Sequence, residues 1–192
     1  MKKILVFASG RGSNFKAILQ ATQSGVLQAR IVGLVTDRPG CGASLTASEF
    51  GITSFEIPLS TGKKKLSRSE HEAEIITAIE NLDFDLIVLA GYMRVFTAEF
   101  IRRYEKIVNI HPSLLPAFPG VDAYGQALRF GAKVTGVTIH WVAEGVDDGP
   151  IIMQRAFEIE EGESVESLTT RGLEVEHRLY VDALKKILED QP

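Results

Sequence analysis

The chain has 192 residues, enough for one domain with a full core and too few for more than two small ones. Hydrophobic residues make up 45% and charged residues 24%, the balance of a soluble globular protein. A formal net charge of -4 provides no general positive field for nucleic acid, so any phosphate ligand must be held by local donors.

The single cysteine, Cys41, excludes an internal disulfide and fits a reducing compartment. Met1-Lys2-Lys3 and the apolar residues behind it are too short a run for a signal peptide, and Ser9-Gly10-Arg11-Gly12 interrupts them. No segment has the length of a membrane span. The expectation is a cytoplasmic protein with no membrane partner and no nucleic-acid partner.

Residues 4–8 form a continuous apolar run, as in a strand buried on both faces. The run opens into Ser9-Gly10-Arg11-Gly12-Ser13-Asn14, after which Phe15, Ile18, Leu19 and Thr22 recur at helical spacing. Strand, Gly-rich turn and helix aim backbone N–H groups and the positive helix end at one spot, which suits an anion. Gly10 and Gly12 allow close approach, and Ser13 and Asn14 add side-chain donors. A glycine turn required only for tight packing is the equal alternative at this stage, since no third glycine completes a dinucleotide fingerprint.

A second buried strand spans 30–37, a helix 43–50 and a short strand 54–57. Residues 60–69 are polar, include three consecutive lysines and read as an exposed loop, with Arg68 a candidate to grip an acidic substrate tail. A helix is expected over 70–81, with His71 on its surface. The buried strand 85–90 ends in the loop Gly91-Tyr92-Met93-Arg94-Val95-Phe96, and Thr97 caps a helix running to Arg103.

The central stretch is Asn109-Ile110-His111-Pro112-Ser113-Leu114-Leu115-Pro116, at the end of a strand over 107–110. Asn109 and His111 are two apart and so share a face. Pro112 lacks an N–H and turns the chain away. A lone His-Pro is usually a buried turn histidine; this longer run places an amide beside an imidazole at a strand's C-terminal end, where open α/β sheets bind ligands. Then come a helix over 124–130 stopped by Gly131, a strand over 134–142 carrying His140, an acidic turn at 144–150, and a strand over 151–158 antiparallel to its predecessor. A last helix from Ser164 to Leu188 carries Glu176 and His177. The fold expected is α/β: a single domain over 1–192, Rossmann-like and parallel in its N-terminal half (about 1–105), mixed in its C-terminal half (about 106–192).

Four blocks together resemble the glycinamide ribonucleotide formyltransferase family of folate enzymes. They are Ser9-Gly10-Arg11-Gly12-Ser13-Asn14, Ala90-Gly91-Tyr92-Met93-Arg94, Asn109-Ile110-His111-Pro112-Ser113-Leu114-Leu115-Pro116 and Asp147-Asp148-Gly149-Pro150-Ile151. The resemblance runs from the first strand to the last helix. It implies a formyltransferase fold and transfer of a formyl group from 10-formyltetrahydrofolate to the amine of glycinamide ribonucleotide, without a metal. Asn109, His111 and Asp147 would be catalytic. Gly12, Ser13 and Asn14 would hold the ribotide phosphate, and Glu176 its glycinamide or ribose. Met93, Arg94, Val95 and Phe96 would line the folate pocket, Arg68 would meet the folate tail, and His140 would join the substrate-binding set. A monomer or a homodimer is compatible with it.

Two departures from the family pattern stand out. After Pro119-Gly120, where the family often has histidines, the chain has Val121-Asp122-Ala123-Tyr124-Gly125, to which no catalytic role is assigned. Many members have Asp-Gly-Gly-Pro in the acidic loop; here two aspartates, Asp147 and Asp148, compete for the position beside His111, and alignment on Gly149-Pro150 favours Asp147. Three rivals remain: a methionyl-tRNA formyltransferase, which carries an extra C-terminal domain; a formyltetrahydrofolate hydrolase, which carries an extra N-terminal one; and a nucleotide-binding module without catalysis.

Overall fold

The computed structural model describes residues 1–62 and 64–189. It divides into two compact units, Met1–Ile107 and Val108–Pro192. The first contains β1 (Lys2–Phe7), α1 (Ser13–Gln23), β2 (Ala29–Thr36), α2 (Gly42–Glu49), β3 (Ser54–Glu56), β4 (Ser60–Thr61), β5 (Lys64–Lys65), α3 (Arg68–Ile79), β6 (Leu86–Leu89) and α4 (Ala98–Tyr104). Strands β3-β2-β1-β6 lie in that order, all paired in parallel. Ile4, Leu5, Val6 and Phe7 of β1 are fully buried, which explains an apolar run without alternation. Phe7 meets Tyr92 edge-on at 5.2 Å between ring centroids, and Phe96 stacks on Phe100 at 4.3 Å, so the loop after β6 is anchored in the core by its aromatic side chains.

The segment expected as a plain loop over 60–69 is structured differently. Strands β4 and β5 pair antiparallel, with Ser60 opposite Lys65. Helix α3 starts at Arg68, because Ser67 and Glu70 form a capping box: Ser67 Oγ accepts from Glu70 N at 3.3 Å, and Glu70 Oε2 accepts from Ser67 N at 2.8 Å. His71, expected on the surface, is 4% exposed and its Nε2 lies 2.7 Å from the Ile57 carbonyl oxygen. Four-residue spacing puts this ring on the same inward face of α3 as Ile75 and Ile79.

The second unit contains β7 (Ile107–His111), which begins at the boundary, then α5 (Ala123–Phe130), β8 (Val134–Trp141), β9 (Ile151–Glu158) and α6 (Val165–Glu189). Strands β7-β8-β9 lie in that order, paired antiparallel as the sequence implied for β8 and β9. Gly131 ends α5 in the left-handed region at φ +80°, and Ser164 Oγ accepts from Ser167 N at 3.1 Å to start α6. Helix α6 packs on α5, β8 and β9, burying Leu168, Leu179, Tyr180, Ala183 and Leu184. The architecture is α/β, with parallel strands in the N-terminal part and antiparallel strands in the C-terminal part.

Thr97 ties two helices of the first unit together. Its Oγ1 accepts from Phe100 N at 3.2 Å to cap α4, while its backbone N–H and its hydroxyl both donate to the buried Glu72 carboxylate of α3. Thr97→Ala should lower stability by about 1–2 kcal/mol, read as a shifted urea midpoint at unchanged slope. An unchanged midpoint would mean that the contact contributes nothing.

Candidate active site

Alternation along β7 places Asn109 and His111 on one face, and the antiparallel register sets Asn109 opposite His140 of β8. Asp147 arrives from the turn after β8. The turn is held close by Gly149, where a side chain would bring Cβ within 1.8 Å of the Trp141 carbonyl oxygen, and by Trp141 N donating to the Pro150 carbonyl at 2.9 Å. Asp147 itself adopts φ +54°, in the left-handed region that non-glycine residues seldom occupy and that aspartate tolerates better than most.

Its carboxylate is the centre of the cluster. Oδ2 lies 3.2 Å from His111 Nδ1 and accepts from Gly120 N at 2.9 Å. Oδ1 accepts from Asn109 Nδ2 at 3.5 Å and lies 3.6 Å from His140 Nε2. Both imidazoles are pinned from behind: His111 Nε2 is 2.9 Å from the Phe118 carbonyl oxygen, and His140 Nδ1 is 2.9 Å from the Trp141 carbonyl oxygen. His111 thus has an acceptor at each nitrogen, and only a ring protonated at both can donate to both. Burial pushes the Asp147 carboxyl upward, but the His140 imidazole, the Gly120 N–H and the charge of the two histidines outweigh it and hold the group below the ordinary aspartate value. Asp148 is exposed and turns its carboxylate over Gly145, so Asp147 is the aspartate that faces His111.

In the first unit, the Gly loop runs from β1 into α1, with Gly12 at φ +78° as the N-cap and Ser13 and Asn14 in the first turn. The missing side chain of Gly12 faces Ala43, whose Cα would be 2.8 Å from a Cβ there, and Gly42 leaves room for the Arg11 carbonyl oxygen at 2.7 Å. Gly12 is therefore required by packing against the start of α2, while Gly10 has open space on its Cβ side.

A cavity of about 240 Å³ also lies in this unit, lined by Leu59, Leu66, Arg68, His71, Glu72 and the run from Tyr92 to Phe96. Met93, Arg94 and Val95 are exposed at its wall, whereas Phe96 is 4% exposed and chiefly a core residue. The cavity lining combines the apolar Leu59, Leu66, Met93 and Val95 with the polar Arg68, His71, Glu72 and Arg94. Glu176, in the second unit, is 7% exposed on α6, with Tyr124 Oη 3.4 Å from its Oε1. Among the described residues no group of three or more His, Cys, Asp or Glu could hold a metal ion.

The formyl transferase family matches residues 2–184. The chain belongs to that family. Phosphoribosylglycinamide formyltransferase of Bacillus subtilis is 44% identical over 98% of this chain and 95% of its own length. Among solved structures, phosphoribosylglycinamide formyltransferase from Bacillus halodurans superposes with a TM-score of 0.92 at 44% identity, covering 98% of this chain and 96% of the other. Glycinamide ribonucleotide transformylase 1 from Geobacillus kaustophilus gives 0.91 at 47% identity, covering 98% and 99%. A formyl transferase of this shape has its Asn109–His111 pair set by local strand alternation, which the sequence displays. The Phe118 carbonyl, the Gly120 N–H and Tyr124 were not found from sequence, because backbone groups carry no residue signature and Tyr124 lies 52 positions from its partner.

The lowered Asp147 value has a consequence for acid stability. A carboxylate held below its unfolded value of about 3.9 contributes stability that is present above that pH and is lost as pH falls through the lowered value. Wild type should therefore exceed Asp147→Asn in stability at neutral pH, with the gap closing below about pH 4. Urea titrations at several pH values measure it; a gap constant down to about pH 2 would contradict the assignment.

Proposed function

We propose that this chain transfers the formyl group of 10-formyltetrahydrofolate to the amine of glycinamide ribonucleotide, giving formylglycinamide ribonucleotide and tetrahydrofolate in purine biosynthesis. The observation that carries the reading is one carboxylate, Asp147, gathering an amide and two imidazoles at the end of β7. Acyl transfer between nitrogens needs what such a cluster offers: donors for the oxygen that becomes negative, and a route for one proton.

In this reading the ribotide amine attacks the formyl carbon, a C–N bond forms, and the carbonyl oxygen becomes an oxyanion. Asn109 Nδ2 donates a hydrogen bond to that oxygen, and His111, on releasing the Phe118 carbonyl, donates a second. Asp147 orients His111 through its Nδ1 and relays the proton from the attacking amine to the folate nitrogen, whose bond to the formyl carbon then breaks. His140 braces Asp147 from its other oxygen. The first unit supplies Ser13, Asn14 and the start of α1 to the phosphate, with Gly12 shaping the loop, and its cavity takes the folate: Met93, Val95 and Phe96 against the ring system, Arg94 and Arg68 towards the anionic tail. The second unit supplies Glu176 to the ribotide. A single formyltransferase domain over 1–192, working in the cytoplasm as a monomer or homodimer, completes the reading.

Purified protein should generate tetrahydrofolate from the formyl donor only when glycinamide ribonucleotide is present; formate release without it would indicate a hydrolase. His111→Asn and Asp147→Asn should remain folded and lose roughly two to four orders of magnitude in kcat, while Asp148→Asn stays near wild type. Near-normal turnover in a folded His111→Asn protein would remove the catalytic assignment.

A further inference from the structure

Tyr124 stands where no role was expected, in the segment Val121-Asp122-Ala123-Tyr124-Gly125. It lies on α5, is 5% exposed, and sets its hydroxyl 3.4 Å from Glu176 Oε1 on α6. The position is built for the ring. At Gly172, one turn before Glu176 on α6, a Cβ would fall 2.0 Å from the Tyr124 hydroxyl oxygen, so any larger residue would displace it. The Phe157 ring of β9 lies against the other side, 6.3 Å between centroids. Burial, the charge of Glu176 and the hydrogen bond to it all push the Tyr124 phenol well above its ordinary value, so the hydroxyl remains a donor.

The geometry points to Tyr124 as a positioning residue for Glu176: its hydroxyl, lodged against Gly172, donates to Oε1 and fixes the orientation in which this buried carboxylate receives the ribotide. The inference rests on the assignment of Glu176 to the ribotide proposed above. A carboxylate with 7% exposure must be satisfied by donors, and a side chain on a helix can still rotate about its torsions. A rigid phenol with only two side-chain torsions, gripped by Gly172 and Phe157, restricts that rotation further at little entropic cost. A distance of 3.4 Å is long for an O–H···O bond, as is common before a ligand tightens the site.

The test is steady-state kinetics with both substrates varied, on Tyr124→Phe, Glu176→Gln and the double variant, with melting midpoints recorded for each. Tyr124→Phe keeps the ring and removes only the donor. The ribotide KM should rise about tenfold, with kcat and the folate KM within roughly twofold of wild type, a tenfold change being about 1.4 kcal/mol. Because the tyrosine acts through Glu176, adding Tyr124→Phe to Glu176→Gln should raise the ribotide KM no further. A ribotide KM unchanged in Tyr124→Phe but raised in Glu176→Gln would overturn the inference and leave the function standing. An additive double variant would overturn it in favour of simple packing. An unchanged ribotide KM in Glu176→Gln would instead remove the role of Glu176, and the inference with it. Gly172→Ala gives a second route, since it presses the hydroxyl off Glu176 without touching either residue; a folded Gly172→Ala protein with a normal ribotide KM would also overturn the proposal.

Discussion

A carboxylate half withdrawn from water has to be compensated, and the second unit is arranged around that requirement at Asp147. Two imidazoles, one amide and one backbone N–H converge on its two oxygens from β7, β8 and the loop after β7. Each imidazole is in turn fixed by a second contact, His111 by the Phe118 carbonyl and His140 by the Trp141 carbonyl. The chain is brought to this point at a backbone cost, with Asp147 at φ +54° and Gly149 pressed against Trp141. Electrostatic compensation is what sustains that conformation, and the same charges are those suited to stabilising an oxyanion.

The first unit solves a different problem, presenting loops on a rigid support. Strands buried on both faces deliver their C-terminal ends in register, and the loops leaving β1 and β6 are held by the core rather than left to solvent. Gly10-Arg11-Gly12 is clamped against Gly42 and Ala43, and the loop after β6 is anchored by Tyr92 and Phe96. Met93 and Val95 are thereby left exposed beside the cavity.

Much of this was legible from sequence. The strands and helices announce themselves through apolar period and Gly, Pro and Ser/Thr punctuation, and the pairing of Asn109 with His111 comes from alternation alone. Ser67-x-x-Glu70 was legible too, as a capping box, and reading it would have started α3 at Arg68. The Gly12 requirement was visible as a glycine but not as to cause, since the side chain it excludes would strike Ala43, far along the chain.

The sequence by itself determined the α/β alternation, the switch to antiparallel strands after β7 and the residues gathered at strand ends. These depend on interactions within a few positions, where dihedral preference and periodicity act directly. Only the tertiary structure decided which aspartate faces His111, that His71 is buried against Ile57, and that Tyr124 reaches Glu176 over Gly172. Each of these turns on the rotation of one element against another, and a helix shifted by one residue turns about 100°. A local pattern cannot carry that information; the packing of side chains from distant parts of the chain does.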